Sequence, residues 1–172
     1  MLISPDFTIF DTTNVNVCYL MYNYKKVRRF SSNLFEDGNP RYIVSIDNHE
    51  ELMRALTDFC KLVNICCGQV RGIGAINEAT FRMYDPATKQ YVDRTFTEQM
   101  EITNITGNIS KKDGEPFLHI HVTCSRADYS CVGGHLLSAR INGACELLVD
   151  KFGDTKVGRK YDDETGLYLY EF

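Results

Sequence analysis

The chain has no uninterrupted apolar run of about 18 residues, so it offers no transmembrane helix. Its first residues, Met1-Leu2-Ile3-Ser4-Pro5-Asp6, lack a basic region followed by an apolar stretch, and no secretory signal is read there. No Cys-x-x-Cys pair occurs, which excludes a zinc ribbon. Gly-x-Ser-x-Gly, P-loop and His-Glu-x-x-His motifs are missing, as are internal repeats and low-complexity segments. Positive charge is not in excess either. Nineteen Lys and Arg against 23 Asp and Glu leave a formal charge of −4. A net acidic chain is a poor default binder of polyanions, although a local basic patch can still bind one.

What remains is a chain of 172 residues, 44% hydrophobic and 24% charged, which suits one globular domain with a sizeable core. The seven cysteines are Cys18, Cys60, Cys66, Cys67, Cys124, Cys131 and Cys145. An odd number without an export signal points to reduced thiols in a cytoplasmic protein, several of them acting as small core hydrophobes. Cys66 and Cys67 are adjacent, so on a strand they face opposite ways, one buried and one half-exposed.

Residues 1–40 read as an extension, with partial alternation over Asn14–Met21 and a turn signal at Glu36-Asp37-Gly38-Asn39-Pro40. Within it, Lys25-Lys26-Val27-Arg28-Arg29 is a basic cluster. It is a solvated charged stretch or a weak phosphate-contacting element. The main domain is read over 41–172. Arg41–Ile46 is β-branched and aromatic, hence a strand. Leu52, Leu56, Phe59 and Val63 form one apolar stripe, so an amphipathic helix is expected over Glu50–Val63. Asn48, with Glu51 three residues on, resembles its capping box. The rest reads as strands: Ile65–Arg71, Glu78–Tyr84, Gln90–Phe96, Gln99–Thr106, Phe117–Ser125, Val132–Arg140, Ala144–Phe152 and Gly166–Glu171. Asp85-Pro86-Ala87-Thr88-Lys89 and Lys111-Lys112-Asp113-Gly114-Glu115 are turns. Gly72-Ile73-Gly74 lacks the third glycine of a dinucleotide loop and is expected to be a tight turn. Many strands with one helix predict an α+β fold on a mainly antiparallel sheet.

Chemistry concentrates in His119-Ile120-His121 and Gly133-Gly134-His135. On a strand, His119 and His121 share a face. Arg126–Ser130 is a plausible hairpin turn, and a hairpin centred on Asp128 places His121 directly opposite His135, with His119 diagonal to it. Facing Cβ atoms lie about 4.5–5.5 Å apart and diagonal ones about 7–8 Å. Three imidazoles reaching about 2 Å each can share a divalent ion and leave positions open. Cys124 has the wrong parity to join them. The alternative is a histidine cluster without metal, and the two glycines can simply mark a bulge or a close backbone crossing. Imidazole ligands suit zinc, iron, copper and nickel, with zinc the first expectation and iron or nickel the alternatives.

The run from Gly107-Asn108 through Pro116-Phe117-Leu118-His119-Ile120-His121-Val122, followed by Val132-Gly133-Gly134-His135, resembles the PPC domain, the plant and prokaryote conserved domain. Arg41–Ile46, the helix, Arg71-Gly72-Ile73-Gly74-Ala75 and Met100-Glu101-Ile102 fit as well. Arg159–Leu167 resembles the tail of the stand-alone bacterial and archaeal members. The resemblance implies an α+β fold of antiparallel sheet packed with a helix, assembled as a homotrimer. It identifies His119, His121 and His135 as the family's histidines, and implies a DNA-associated label. Yet the chain has no Arg-Gly-Arg-Pro hook for a narrow minor groove. The resulting expectation is a cytoplasmic trimeric binding or regulatory module, with no membrane contact and weak or indirect DNA association. Lys25, Lys26, Arg28 and Arg29 are its candidate phosphate contacts. The alternative is a small metalloenzyme on the same histidines, with Glu101 or Glu115 as its carboxylate.

Overall fold

The computed structural model describes residues 39–172 in full, and the strands Thr8–Phe10 (β1), Tyr19–Tyr24 (β2) and Val27–Ser32 (β3) by their backbone. Lys25 and Lys26 lie outside the described residues, as do residues 36–38 of the expected turn and residues 14–18 of the first expected strand. Arg28 and Arg29 stand on β3, paired with Asn23 and Tyr22 of β2.

Period-two alternation builds the main sheet. In Glu115–Ser125 (β8), Leu118, Ile120, Val122 and Cys124 are buried, while His119, His121 and Thr123 point the other way. Arg41–Ile46 (β4), Gly68–Asp85 (β5), Gln90–Phe96 (β6), Met100–Lys112 (β7) and Cys131–Lys151 (β9) complete it. Every ladder is antiparallel. The hydrogen-bonded path β5–β7–β8–β9 returns to β5, so these four strands close on themselves. Closure removes edges that would otherwise invite pairing with other chains. β4 adds to the outside of β9, and β6 adds to the far half of β5. Gly158–Asp162 (β10) and Leu167–Glu171 (β11) form a separate hairpin.

The helix Leu52–Leu62 (α1) is the only one among the described residues. Its stripe is the expected one: Leu52, Leu56 and Phe59 are buried, and Val63 packs against the core. Phe59 meets Tyr42 edge to face, with centroids 5.4 Å apart. The cap differs from expectation. Glu51 is itself the N-cap, accepting from the backbone N–H of Met53 and Arg54. Asn48 instead accepts from the N–H of His49 and Gly143. A carboxylate can take both orphan donors of the first turn at once and favours the positive end of the helix dipole.

Two further expectations are corrected. Gly72-Ile73-Gly74 is not a turn; it lies within β5, which runs unbroken for 18 residues with an irregular register there. The glycine is needed for contact: a Cβ on Gly72 would sit 2.4 Å from the Glu146 carbonyl oxygen of β9. Likewise Val132–Arg140 and Ala144–Phe152 are one strand of 21 residues. Gly143, at φ +128, absorbs the irregularity between them without ending the strand.

Candidate metal centre

The hairpin register matches the sequence argument. His121 pairs with His135, Val122 with Gly134, Thr123 with Gly133, and Ser125 with Cys131. Two glycines allow this. A Cβ on Gly133 would lie 2.2 Å from the Val122 carbonyl oxygen, so only glycine lets β9 pass so close to β8. Gly134 has φ +153. At the next residue β9 passes from β8 to β5, His135 pairing with both His121 and Arg82. The third histidine therefore stands where one strand changes partners.

The three rings converge. Their centroids are 5.2 Å apart for His119–His121, 5.0 Å for His119–His135 and 5.3 Å for His121–His135. The Nε2 atoms of His119 and His121 are 3.2 Å apart. One ring nitrogen from each residue falls within 4.8 Å of the others, a group that can hold a metal ion. Nitrogens bound at about 2.0–2.1 Å in a tetrahedron lie roughly 3.3 Å from one another. The His119–His121 spacing already meets that requirement, and the remaining pairs lie within 4.8 Å.

Electrostatics keep the group ready to ligate. Burial is the main cause that depresses the His135 pKa to about 4, followed by His119, His121 and Arg82, with Asp93 opposing. Burial also lowers the His119 pKa, helped by His121 and Arg159. Metal ligation requires neutral imidazole, so both shifts act in its favour.

The surrounding residues were not legible as a set. Arg82 holds Asp93 through two hydrogen bonds of 3.0 and 2.9 Å, and its guanidinium lies over the Tyr91 ring. Tyr91 in turn stands 5.8 Å from His135. The observed register sets Arg82 opposite Asp93, one residue off the partner that the centre of the expected turn at residues 85–89 gives, and nothing local places either beside His135. On the other side, Asn108 pairs across the ladder with His119 and is held by Arg159. The carboxylates proposed for an enzyme do not join the group. Glu115 is taken by Lys61 at 2.6 Å, and Glu101 lies on a different hollow, beside Gln99 and Asn142. Among the described residues the group that could hold a metal contains histidine alone. Cys131 faces the same way as His121 but lies beyond Thr123 on the ladder and stays outside the group.

The family model for the Plants and Prokaryotes Conserved (PCC) domain matches residues 35–153. Among curated proteins there was no match. A crystal structure from Bacteroides thetaiotaomicron, described as a candidate DNA-binding protein, is 50% identical; the match covers 77% of this chain and 92% of that one, with a TM-score of 0.75. A protein from Archaeoglobus fulgidus described as metal-containing is 34% identical over 77% of this chain and 93% of its own, with a TM-score of 0.73. A plant- and prokaryote-conserved protein from Pyrococcus horikoshii shares the fold at 23% identity, covering 99% of this chain and 98% of its own at a TM-score of 0.72. By its family-model match and its kinship to the first two of these, the chain belongs to the Plants and Prokaryotes Conserved domain family.

Proposed function

We propose that this is a trimeric, metal-dependent binding or regulatory module in which His119, His121 and His135 hold one divalent ion, zinc before iron or nickel. The observation that carries the reading is the convergence of three ring nitrogens within 4.8 Å on one antiparallel ladder. The Archaeoglobus fulgidus relative, described as metal-containing, supports it. The ion would supply Lewis acidity to whatever reaches its open positions. The protein's part is to hold neutral donors in place: Gly133 sets the strand approach, and burial resists protonation of His119 and His135.

A small metalloenzyme is the second reading, favoured by a hollow of about 540 Å³ bordered by His119 and His121. Against it stands the lack of any carboxylate in the histidine group among the described residues. For assembly, the cross-strand pair Met83 and Val92 is 71% and 65% exposed on the β5–β6 arm, an apolar surface suited to a neighbouring copy. The domain is taken as 41–172, with 1–40 an extension that lengthens the sheet beyond β4. Six described cysteines are free thiols, in keeping with a reducing cytoplasm. No helix among the described residues is long and apolar enough to cross a membrane. DNA association, suggested by the description of the Bacteroides relative, is weak and made through Lys25, Lys26, Arg28 and Arg29. Elemental analysis of tag-free protein, with light scattering for mass, tests the reading. Stoichiometric metal and a trimer are expected, and metal-free protein after reconstitution would overturn it.

A further inference from the structure

The hollow beside the histidines has a chemistry of its own. His119, His121, Asn108 and Thr106 border it, with Phe152, Val157 and Tyr170 supplying apolar wall. Its polar rim has a defined direction. The Arg159 guanidinium only donates, so the Asn108 atom that meets it at 2.9 Å is Oδ1. Arg159 is itself fixed by Ser110 Oγ at 2.7 Å and the Tyr168 carbonyl at 2.9 Å, and it stacks on Phe117 and Tyr170. The Asn108 side chain therefore cannot flip without breaking that clamp. Its Nδ2 is left over, and no described acceptor engages it. Asn108 is also the direct cross-strand partner of His119, which puts this donor beside the metal-ligating group.

The charge balance selects what the donor would meet. Imidazole ligands are neutral, so a divalent ion on three of them keeps both positive charges. Arg159 adds a third positive charge nearby. The one acid that interacts with the histidine group, Asp93, is already held by Arg82 through two hydrogen bonds. Among the described residues no further acid faces the centre, so an anionic oxygen is the ligand that would balance it.

We propose that the hollow is a carboxylate-binding site, in which a small carboxylate with an apolar chain takes an open position on the ion, accepts from Asn108 Nδ2, and lays its chain against Phe152, Val157 and Tyr170. This rests on the metal reading above and names the ligand class for it. Cations lack an acceptor, and neutral alcohols bring no negative charge to balance the ion.

The test uses the whole chain loaded with cobalt(II), with cobalt content checked by elemental analysis. The visible cobalt bands are then followed as acetate, hexanoate or hexylammonium is added. Hexanoate should shift the bands saturably and bind about tenfold or more tightly than acetate, since several methylenes leave water. Hexylammonium should leave them unmoved. Asn108→Ala should weaken hexanoate about tenfold at unchanged cobalt content, the usual effect of losing one hydrogen bond to a charged group. Asn108→Asp keeps an acceptor for Arg159, and so keeps the local fold, while opposing an anion; it should weaken hexanoate further. Bands unmoved by carboxylate in a cobalt-loaded protein would overturn this inference alone. So would an equal response to hexylammonium, or wild-type affinity in both variants. Failure to take up cobalt would overturn the metal reading beneath it as well.

Discussion

His121 and His135 face each other directly across the β8–β9 ladder, with ring centroids 5.3 Å apart. Neither strand alone has three ligands. The pair exists only when the hairpin closes in this register, and a slip of one residue would turn one ring to the core face. If the three rings hold an ion, its affinity will report directly on register.

Loss of one ligand leaves two imidazoles, too few to hold a divalent ion firmly. His121→Ala should lose most of the bound metal while keeping the fold, because His121 is exposed and the core lies on the other face of β8. The control is His49, which stands apart beside Asn48, before the helix. Its φ is +69, so His49→Asn is the substitution that its backbone tolerates. Elemental analysis of both variants should show metal in the second and little in the first.

Acid should weaken the metal-free protein through His135. Its folded pKa is about 4, below the ordinary 6.5 that the unfolded chain keeps. Between those values the unfolded state binds more protons, so stability rises with pH and falls as pH drops from about 6.5 toward 4. Above 6.5 the contribution is complete. His135→Asn removes that titration. Thermal melts at pH 7 and 4.5 should show a smaller loss of Tm in the variant than in wild type, and an equal loss would count against the assignment. Metal should likewise stay bound below pH 6.5, since His119 and His135 resist protonation.

The site was legible because it is local. Three histidines on one hairpin need only alternation and a turn centre, and Asp128 supplied the centre. The helix stripe was legible for the same reason. Glycine misled. Gly72 looks like punctuation, yet it lies inside a strand because another backbone crosses it, and that crossing involves β9, some 75 residues on. Asn48 looked like a cap by residue type, but the Glu51 carboxylate reaches the two amides. The Arg159–Asn108 clamp joins residues 51 positions apart, and no local pattern encodes it.

Glu51 is placed to matter for stability. Its Oε1 accepts from Met53 N at 3.0 Å and from Ala139 N of β9 at 3.1 Å, and its Oε2 from Arg54 N at 2.7 Å. It caps the helix and ties it to the sheet together. Glu51→Ala should cost about 1–2 kcal/mol, the range for loss of an N-cap. Urea unfolding should show a lower midpoint at an unchanged slope, with Glu51→Gln in between.

Binding to duplex DNA should be weak and steeply salt-dependent. A net charge of −4 opposes approach, and the Lys25–Arg29 cluster is the candidate source of phosphate contacts. Each neutralised phosphate contributes about 0.9 to the slope of log affinity against log salt. Fluorescence anisotropy should give a slope near that of a few contacts, abolished when Lys25, Lys26, Arg28 and Arg29 are all changed to Ala. Sequence-specific nanomolar binding at physiological salt would refute it.

Gly133 couples fold and site most tightly. An alanine there would set its Cβ 2.2 Å from the Val122 carbonyl oxygen and 3.1 Å from the Thr123 Cα. Both are backbone atoms, so no side chain can turn aside. The strands must part where Val122 and Thr123 follow His121. Gly133→Ala should therefore cost on the order of 1–3 kcal/mol, as overpacking does, and should also weaken metal binding by moving His121 from His135. Gly158 on β10 provides the contrast. A Cβ there meets Glu171 Oε2 at 3.5 Å, an ordinary contact with an exposed side chain. Gly158→Ala should leave both stability and metal content near wild type. Urea unfolding with parallel elemental analysis distinguishes the two, and a Gly133→Ala protein with wild-type stability and full metal would show that the close strand crossing is not what holds the histidines together.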